Sequence, residues 1–231
     1  MPDKTDPQTK TLIALGDSIT AGVGGKWNRG YPAHLAKLLE AKYPGLDLIN
    51  WGIPGLTIPR LTKALQRGDH LYDKLAAADW IVMTIGGNDI INAFPKHFAE
   101  TAKLNLETQA LARELDLLLA TLLSLTACPI YLGDLYNPFP QSQAAELIIS
   151  TLNREHLEPL SRRYQNLHLV RLSTVLRGQE SRTIQYFKTG TIRDMKRFFR
   201  RPIHPNDEGH QLIADAFYRA MIPRLHPPKK P

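Results

Sequence analysis

The sequence predicts an α/β fold, a three-layer α/β/α sandwich built on a five-stranded parallel sheet. Three observations predict it. Five short apolar runs are bounded by turn residues, and longer stretches with helical apolar spacing follow them. The strand runs are largely continuous rather than alternating, which implies burial on both faces, as a parallel sheet covered by helices requires. A chain of 231 residues is long enough for one such doubly wound domain with a full core. The expected domain is 1–231, with 1–10 and 226–231 as flexible tails.

Residues 11–15 (TLIAL) form the first expected strand, followed by a glycine-rich turn and a helix over 32–43. The second strand is 46–51 and the third is 80–85 (WIVMTI), ending on Gly86 and Gly87. A leucine-rich stretch over 104–125 follows, in which Glu107, Arg113, Glu114 and Asp116 recur. Those charges mark a long amphipathic helix and exclude a membrane crossing. The fourth strand is 130–133, a helix covers 143–164, and the fifth strand is 167–172. The last helix is expected over 206–220, capped by Asn206. In such sheets ligands bind beyond the carboxyl ends of the strands. The loops after Leu15, Trp51, Ile85 and Leu132 are therefore where chemistry is expected.

Composition narrows the class. Apolar residues make up 43% and charged residues 22%, a globular balance. The single cysteine, Cys128, rules out an internal disulfide framework and lies in an apolar run, as a small buried residue would. The opening MPDKTDPQTK lacks the apolar segment of a signal peptide. A cytoplasmic protein is expected, or a secreted one if a leader has been removed. A formal charge of +7 favours anionic partners in general without specifying nucleic acid or any other. Phosphate-loop and dinucleotide fingerprints fail, because Trp27 follows Lys26 and stands where a third glycine would be. No His, Cys and carboxylate cluster has metal-ligand spacing, and no cofactor is expected.

Four segments remain that carry chemistry. Gly16-Asp17-Ser18 follows the first strand, where a tight turn exposes a serine hydroxyl; such a serine is either a helix cap or a nucleophile with a base in reach. NWGIPGLT at 50–57 has glycines that let backbone N–H groups face a ligand. In GGND at 86–89, Asn88 is either an Asx-turn residue or an uncharged donor to an oxyanion. In HPNDEGH at 204–210, His204 precedes the last helix and is free to point at the sheet edge, whereas His210 lies within the helix and is expected at the surface.

Together and in this order, GDSIT, NWGIPGLT, GGND and HPNDEGH resemble the blocks of the GDSL (SGNH) hydrolase family over nearly the whole chain. The resemblance implies the family's flavodoxin-like fold and a serine ester hydrolase (esterase, lipase or acylhydrolase). It makes Ser18 the nucleophile and His204 the general base. It implies an oxyanion hole from the Ser18 N–H, the Gly55 N–H and the Asn88 side chain, with Gly52 a weaker substitute for Gly55. The substrate it implies is a small-molecule ester or a lipid-like one.

One position departs from the pattern. The family's acid stands three residues before the histidine, and here that residue is Arg201. An arginine cannot accept from imidazole N–H and disfavours an imidazolium. Three arrangements stay open: a backbone carbonyl near 201 that leaves a Ser–His dyad, an orienting Asp194 reaching in from upstream, or a fold kept for binding. In the last, Arg193, Lys196, Arg197 and Arg200, at helical spacing beside Phe198 and Phe199, would contact an anionic lipid or polymer. The plainer expectation for that segment is a solvated helix face with its aromatics docked on the core.

Overall fold

The computed structural model describes residues 9–68, 71–93, 101–197 and 199–225. The tail at 226–231, most of the expected N-terminal tail and Phe198 lie outside the described residues. Lys10 is described and tied down, its ammonium 2.7 Å from Asp79 and its carbonyl accepting from the Asp47 N–H.

The five strands β1 (Thr11–Gly16), β2 (Asp47–Gly52), β3 (Trp80–Thr84), β4 (Ile130–Gly133) and β5 (Leu167–Val170) form one parallel sheet in the order β2-β1-β3-β4-β5. The expected architecture is present. Alternate side chains of each central strand serve opposite faces, as the pleat dictates. Ile13, Leu15, Ile81, Met83, Ile130 and Leu132 pack under α3 (Ile58–Gln66) and α6 (Thr101–Leu125). Leu12, Ala14, Val82 and Tyr131 pack under α2 (Tyr31–Glu40) and α11 (Asp207–Leu225). There Tyr31 and Phe217 stack with ring centroids 4.8 Å apart, both fully buried. Each such side chain contributes on the order of 1.5–3 kcal/mol by leaving water.

Short helices fill the rest: α1 (Ser18–Ala21), α4 (Leu71–Ala76), α5 (Gly87–Ala93), α7 (Gln143–Thr151), α8 (Glu158–Arg163), α9 (Leu172–Leu176) and α10 (Glu180–Thr183). The expected helix over 143–164 is thus α7 and α8 joined by a π-helical stretch, Leu152–Leu157. That wider turn carries Asn153, whose amide brackets Leu135 by accepting from its N–H at 3.0 Å and donating to its carbonyl at 2.7 Å. Pro159, which has no N–H to give, begins the return to α geometry. The last expected strand is shorter than 167–172, since Leu172 opens α9.

Two expectations are corrected. The basic stretch does not continue as a helix to Arg201: Ile192–Lys196 is a 3₁₀ turn, and beyond it Arg197 N–H bonds Asp194 O and Arg200 N–H bonds Arg197 O, three residues back each time. With three residues per turn no single basic face forms. Phe199 is 92% exposed rather than docked. His210 is not a surface residue but fully buried, its Nδ1 accepting from the Tyr31 N–H at 3.2 Å and its Nε2 donating to the Val23 carbonyl at 3.0 Å. It staples α11 to the chain that follows Ser18.

Burial lowers the His210 pKa from 6.5 to about 4. The neutral ring's contribution is therefore complete above about pH 6.5 and is lost as the pH falls through about 4. His210→Ala leaves a buried N–H and carbonyl unpaired and should cost about 2–4 kcal/mol by urea unfolding at neutral pH. The gap between wild type and variant should shrink on acidification; a gap under about 0.5 kcal/mol at neutral pH would contradict the staple.

Candidate active site

The carboxyl ends of β1 and β3 meet at Gly16. Its φ is +141°, and a Cβ there would lie 2.0 Å from the Thr84 carbonyl, so only glycine fits. The chain then turns sharply: Asp17 N–H bonds Thr84 O, and the Asp17 carboxylate caps α1 by accepting from Ile19 N–H at 3.0 Å. Ser18 is the first residue of that helix. Beneath it Thr20 Oγ1 donates to Leu15 O at 3.0 Å and lies 2.7 Å from Thr84 Oγ1 and 3.2 Å from the Tyr31 hydroxyl. This buried hub fixes the height of the serine above the sheet.

His204 meets it from the other end of the chain, with Nε2 2.9 Å from Ser18 Oγ. The loop carrying His204 is bonded on both flanks. Gln185 N–H donates to the His204 carbonyl at 2.8 Å, Asn206 N–H to Thr183 O at 2.7 Å, and the Tyr136 hydroxyl to Ile203 O at 2.6 Å. Asn206 caps α11 as expected, accepting from Gly209 N–H at 3.0 Å.

Asn88 lines the same cavity as Ser18, and its Nδ2 donates to Leu56 O at 2.9 Å. The next residue, Asp89, accepts from Ile58 N–H at 3.1 and 3.2 Å, so two neighbours in the first turn of α5 brace the start of α3 and the loop before it. Gly55 sits on that loop, exposed, with φ +78° in the turn closed by Leu56 N–H to Ile53 O. Its backbone is not part of the cavity wall in this structure. The Gly52 N–H is already engaged by Asn50 Oδ1 at 2.9 Å.

Asp194 is buried, and its Oδ2 accepts from Thr189 N–H at 2.8 Å and Gly190 N–H at 3.2 Å. Those bonds hold its own loop rather than His204. The Arg201 carbonyl accepts from Ile203 N–H at 2.9 Å. Among the described residues no carboxylate pairs with the His204 ring. The basic residues divide: Arg193, Lys196 and Arg200 are exposed, while Arg197 is half-buried and donates to Tyr186 O. Lys196 and Arg201 line the cavity.

That cavity is about 520 Å³. Ser18, Asn88 and His204 stand on its wall, and most of the rest is apolar, including Ile85, Ile90, Phe139, Ile148, Ile149 and Met195. Asp134, at its floor, is spent on the Ser173 hydroxyl and N–H at 2.6 and 2.7 Å. Burial lowers the His204 pKa below 6.5, and no nearby acid opposes it. Asp17 moves the other way, raised to about 7 chiefly by burial, with the charge of Asp89 adding to it and the Ile19 bond opposing. Tyr136 and Asn153 were not singled out from sequence. Tyr136 lies in the loop after Leu132, where the strand-end rule pointed, but nothing in its local pattern marks its partner at Ile203. Among the described residues no cluster of His, Cys, Asp and Glu is placed to hold a metal ion, and no helix is long and apolar enough to cross a membrane.

Comparison with known proteins bears on the family and the fold. The model of the GDSL-like lipase/acylhydrolase family matches residues 14–212. The chain is 34% identical over 118 residues to an acetylxylan esterase of Geobacillus stearothermophilus, a match spanning 46% of this chain and about half (52%) of that enzyme. It is 25% identical over 227 residues to the spore germination lipase LipC of Bacillus licheniformis, covering 94% of this chain and 99% of that one. Among solved structures, the lipase Lip_vut3 from a goat rumen metagenome superposes with a TM-score of 0.75 at 22% identity, over 92% of this chain and 97% of that one. The acetylxylan esterase Axe2 of G. stearothermophilus superposes with a TM-score of 0.66 at 22% identity, over 92% and 94%. Axe2's catalytic mutants replace a serine, a histidine and an aspartate three positions before that histidine; three positions before His204 this chain has Arg201. The blocks at the strand ends, the sheet order and the match across 14–212 lead to one conclusion: the chain belongs to the GDSL-like lipase/acylhydrolase family.

Proposed function

We propose that this protein is a carboxylic ester hydrolase that works by two-step acyl transfer through Ser18 and His204, on esters with an apolar acyl chain. The observation that carries the reading is the 2.9 Å contact between Ser18 Oγ and His204 Nε2 on the wall of an apolar cavity. Ser18 Oγ attacks the ester carbonyl while His204 Nε2 takes its proton; the carbonyl oxygen becomes an oxyanion. The Ser18 N–H and the Asn88 amide, both on the cavity wall, are its donors. Asn88 has a second N–H besides the one given to Leu56. Collapse expels the alcohol, protonated by His204, and a water deprotonated by the same ring then releases the acid. The acyl chain lies among Ile85, Ile90, Phe139 and Ile149, where each buried methylene contributes about 0.8 kcal/mol.

Ser18→Ala should lose ester hydrolysis and fluorophosphonate labelling together while keeping its circular dichroism; hydrolysis at the wild-type rate would end the mechanism. Asn88→Ala should lower kcat by about 10²–10³ with little change in KM, and a change confined to KM would remove it from the oxyanion hole.

The acyl pocket is tested at Ala145, which is buried on the cavity wall. Across p-nitrophenyl esters of increasing length, kcat/KM should climb through medium chains, and Ala145→Leu should move the optimum to shorter ones. A profile flat from acetate onward would contradict the pocket assignment while leaving ester hydrolysis standing.

The base must be neutral to accept a proton, and burial lowers its pKa. The acidic limb of kcat/KM should therefore fall below 6.5, the ordinary imidazole value. Asp17→Asn, measured in parallel, removes the other group that titrates nearby.

A further inference from the structure

A triad acid does two things for its histidine. It holds the ring in the productive orientation, and it stabilises the imidazolium. Here the second contribution is missing, since no described carboxylate touches the ring. The first can still come from the backbone that carries the ring, provided that backbone is held on both sides.

It is held unusually closely. After His204, Ile184 and Pro205 form an antiparallel bridge, and Asn206 ties to Arg182 O through Nδ2 at 2.6 Å and to Thr183 O through its N–H at 2.7 Å. Against the other side lies Gly24, where a Cβ would sit 2.1 Å from the Pro205 carbonyl, so the loop after α1 presses directly on this turn. Before His204, the carbonyl of Ile203 receives the hydroxyl of Tyr136, at 2.6 Å. This is a short hydrogen bond from a ring with few rotatable torsions, carried on the loop after β4. Its target carbonyl belongs to the peptide that leads into His204. Movement of that peptide turns the imidazole. Burial holds the Tyr136 phenol protonated, so it remains a donor throughout the working range.

We propose that Tyr136 is a positioning residue for the His204 base, supplying through the Ile203 carbonyl the orientation that an acid at position 201 would otherwise supply. The proposal rests on the reading of Ser18 and His204 as nucleophile and base. It assigns the chain a dyad whose geometry is set by a tyrosine on the sheet side and by Asn206 on the helix side.

The test is Tyr136→Phe, which removes one oxygen and keeps the ring on the cavity wall. With p-nitrophenyl butyrate, kcat should fall by about tenfold to a hundredfold while KM stays within about twofold. The rate of fluorophosphonate labelling should fall by the same factor as kcat. A role in stability alone would lower the melting temperature without that split. Unchanged kcat and labelling, or an effect confined to KM, overturns the proposal. Asn206→Asp provides the second variant, since it keeps the oxygen that accepts from Gly209 but loses the donor to Arg182. It should show the same split, and wild-type kcat there would count equally against a base oriented by its backbone. A wild type that is active through Ser18, with an unimpaired Tyr136→Phe, removes the clamp alone. A wild type that neither turns over nor labels removes the dyad and the clamp together.

Discussion

The close approach of β1 and β3 at their carboxyl ends governs this structure. Gly16 admits the Thr84 carbonyl where any side chain would collide, and Thr20 gathers Leu15, Thr84 and Tyr31 into one buried set of hydrogen bonds. Because the strands are parallel and in register, their loops emerge on one edge, and the hub sets where Ser18 stands on it. Every other group in the site is placed relative to that point. Asn88 follows β3 directly, Tyr136 follows β4, and His204 is carried in by the segment that pairs with Thr183, Ile184 and Gln185.

The electrostatics of the edge are set by burial more than by ion pairs. Asp17 and His204 are both displaced toward their neutral forms. His210, one turn into α11, is displaced further in the same direction and satisfied by two backbone groups. Asp17 and His210 pull stability in opposite senses with pH. Asp17's raised pKa makes its contribution complete below about 3.8 and lost as the pH rises through about 7, whereas the contribution of His210 is lost on acidification. A site kept neutral by desolvation needs no imidazolium–carboxylate attraction at rest, and the residue three positions before His204 is an arginine, Arg201.

The cavity at this edge is as apolar as the edge is neutral. Much of its apolar wall comes from α5, the loop after β4, α7 and the 3₁₀ turn Ile192–Lys196. Asn153, on the π-helical stretch, holds Leu135 by both backbone groups, and Asp194 holds the turn at Thr189 and Gly190. The polar side chains behind the wall are thus spent on fixing loops, and the surface left facing the cavity is largely hydrocarbon.

The sequence by itself determined the sheet and the order of its strands' chemistry. Continuous apolar runs such as WIVMTI can only be buried on both faces, and the glycines after β1 and β3 announce tight turns at one edge. Ser18, Asn88 and His204 were legible for the same reason, since each lies in a short motif next to a strand end or a helix cap. What only the tertiary structure decided is which donor meets which acceptor, above all between residues far apart in the chain. His210 has the local pattern of an exposed helical position, yet it is buried because Tyr31 and Val23 come to it from the other end of the molecule. The basic stretch has helical spacing, but bonds to residues three positions back tighten it into 3₁₀ turns. Asp194 stands near His204 in the chain and spends its carboxylate on its own loop, while Tyr136, 67 residues from Ile203, reaches the backbone beside His204. Local patterns encode turns and periodicity; which buried donor meets which acceptor is a property of packing, and for His210 and Tyr136 no short stretch of sequence contains both partners.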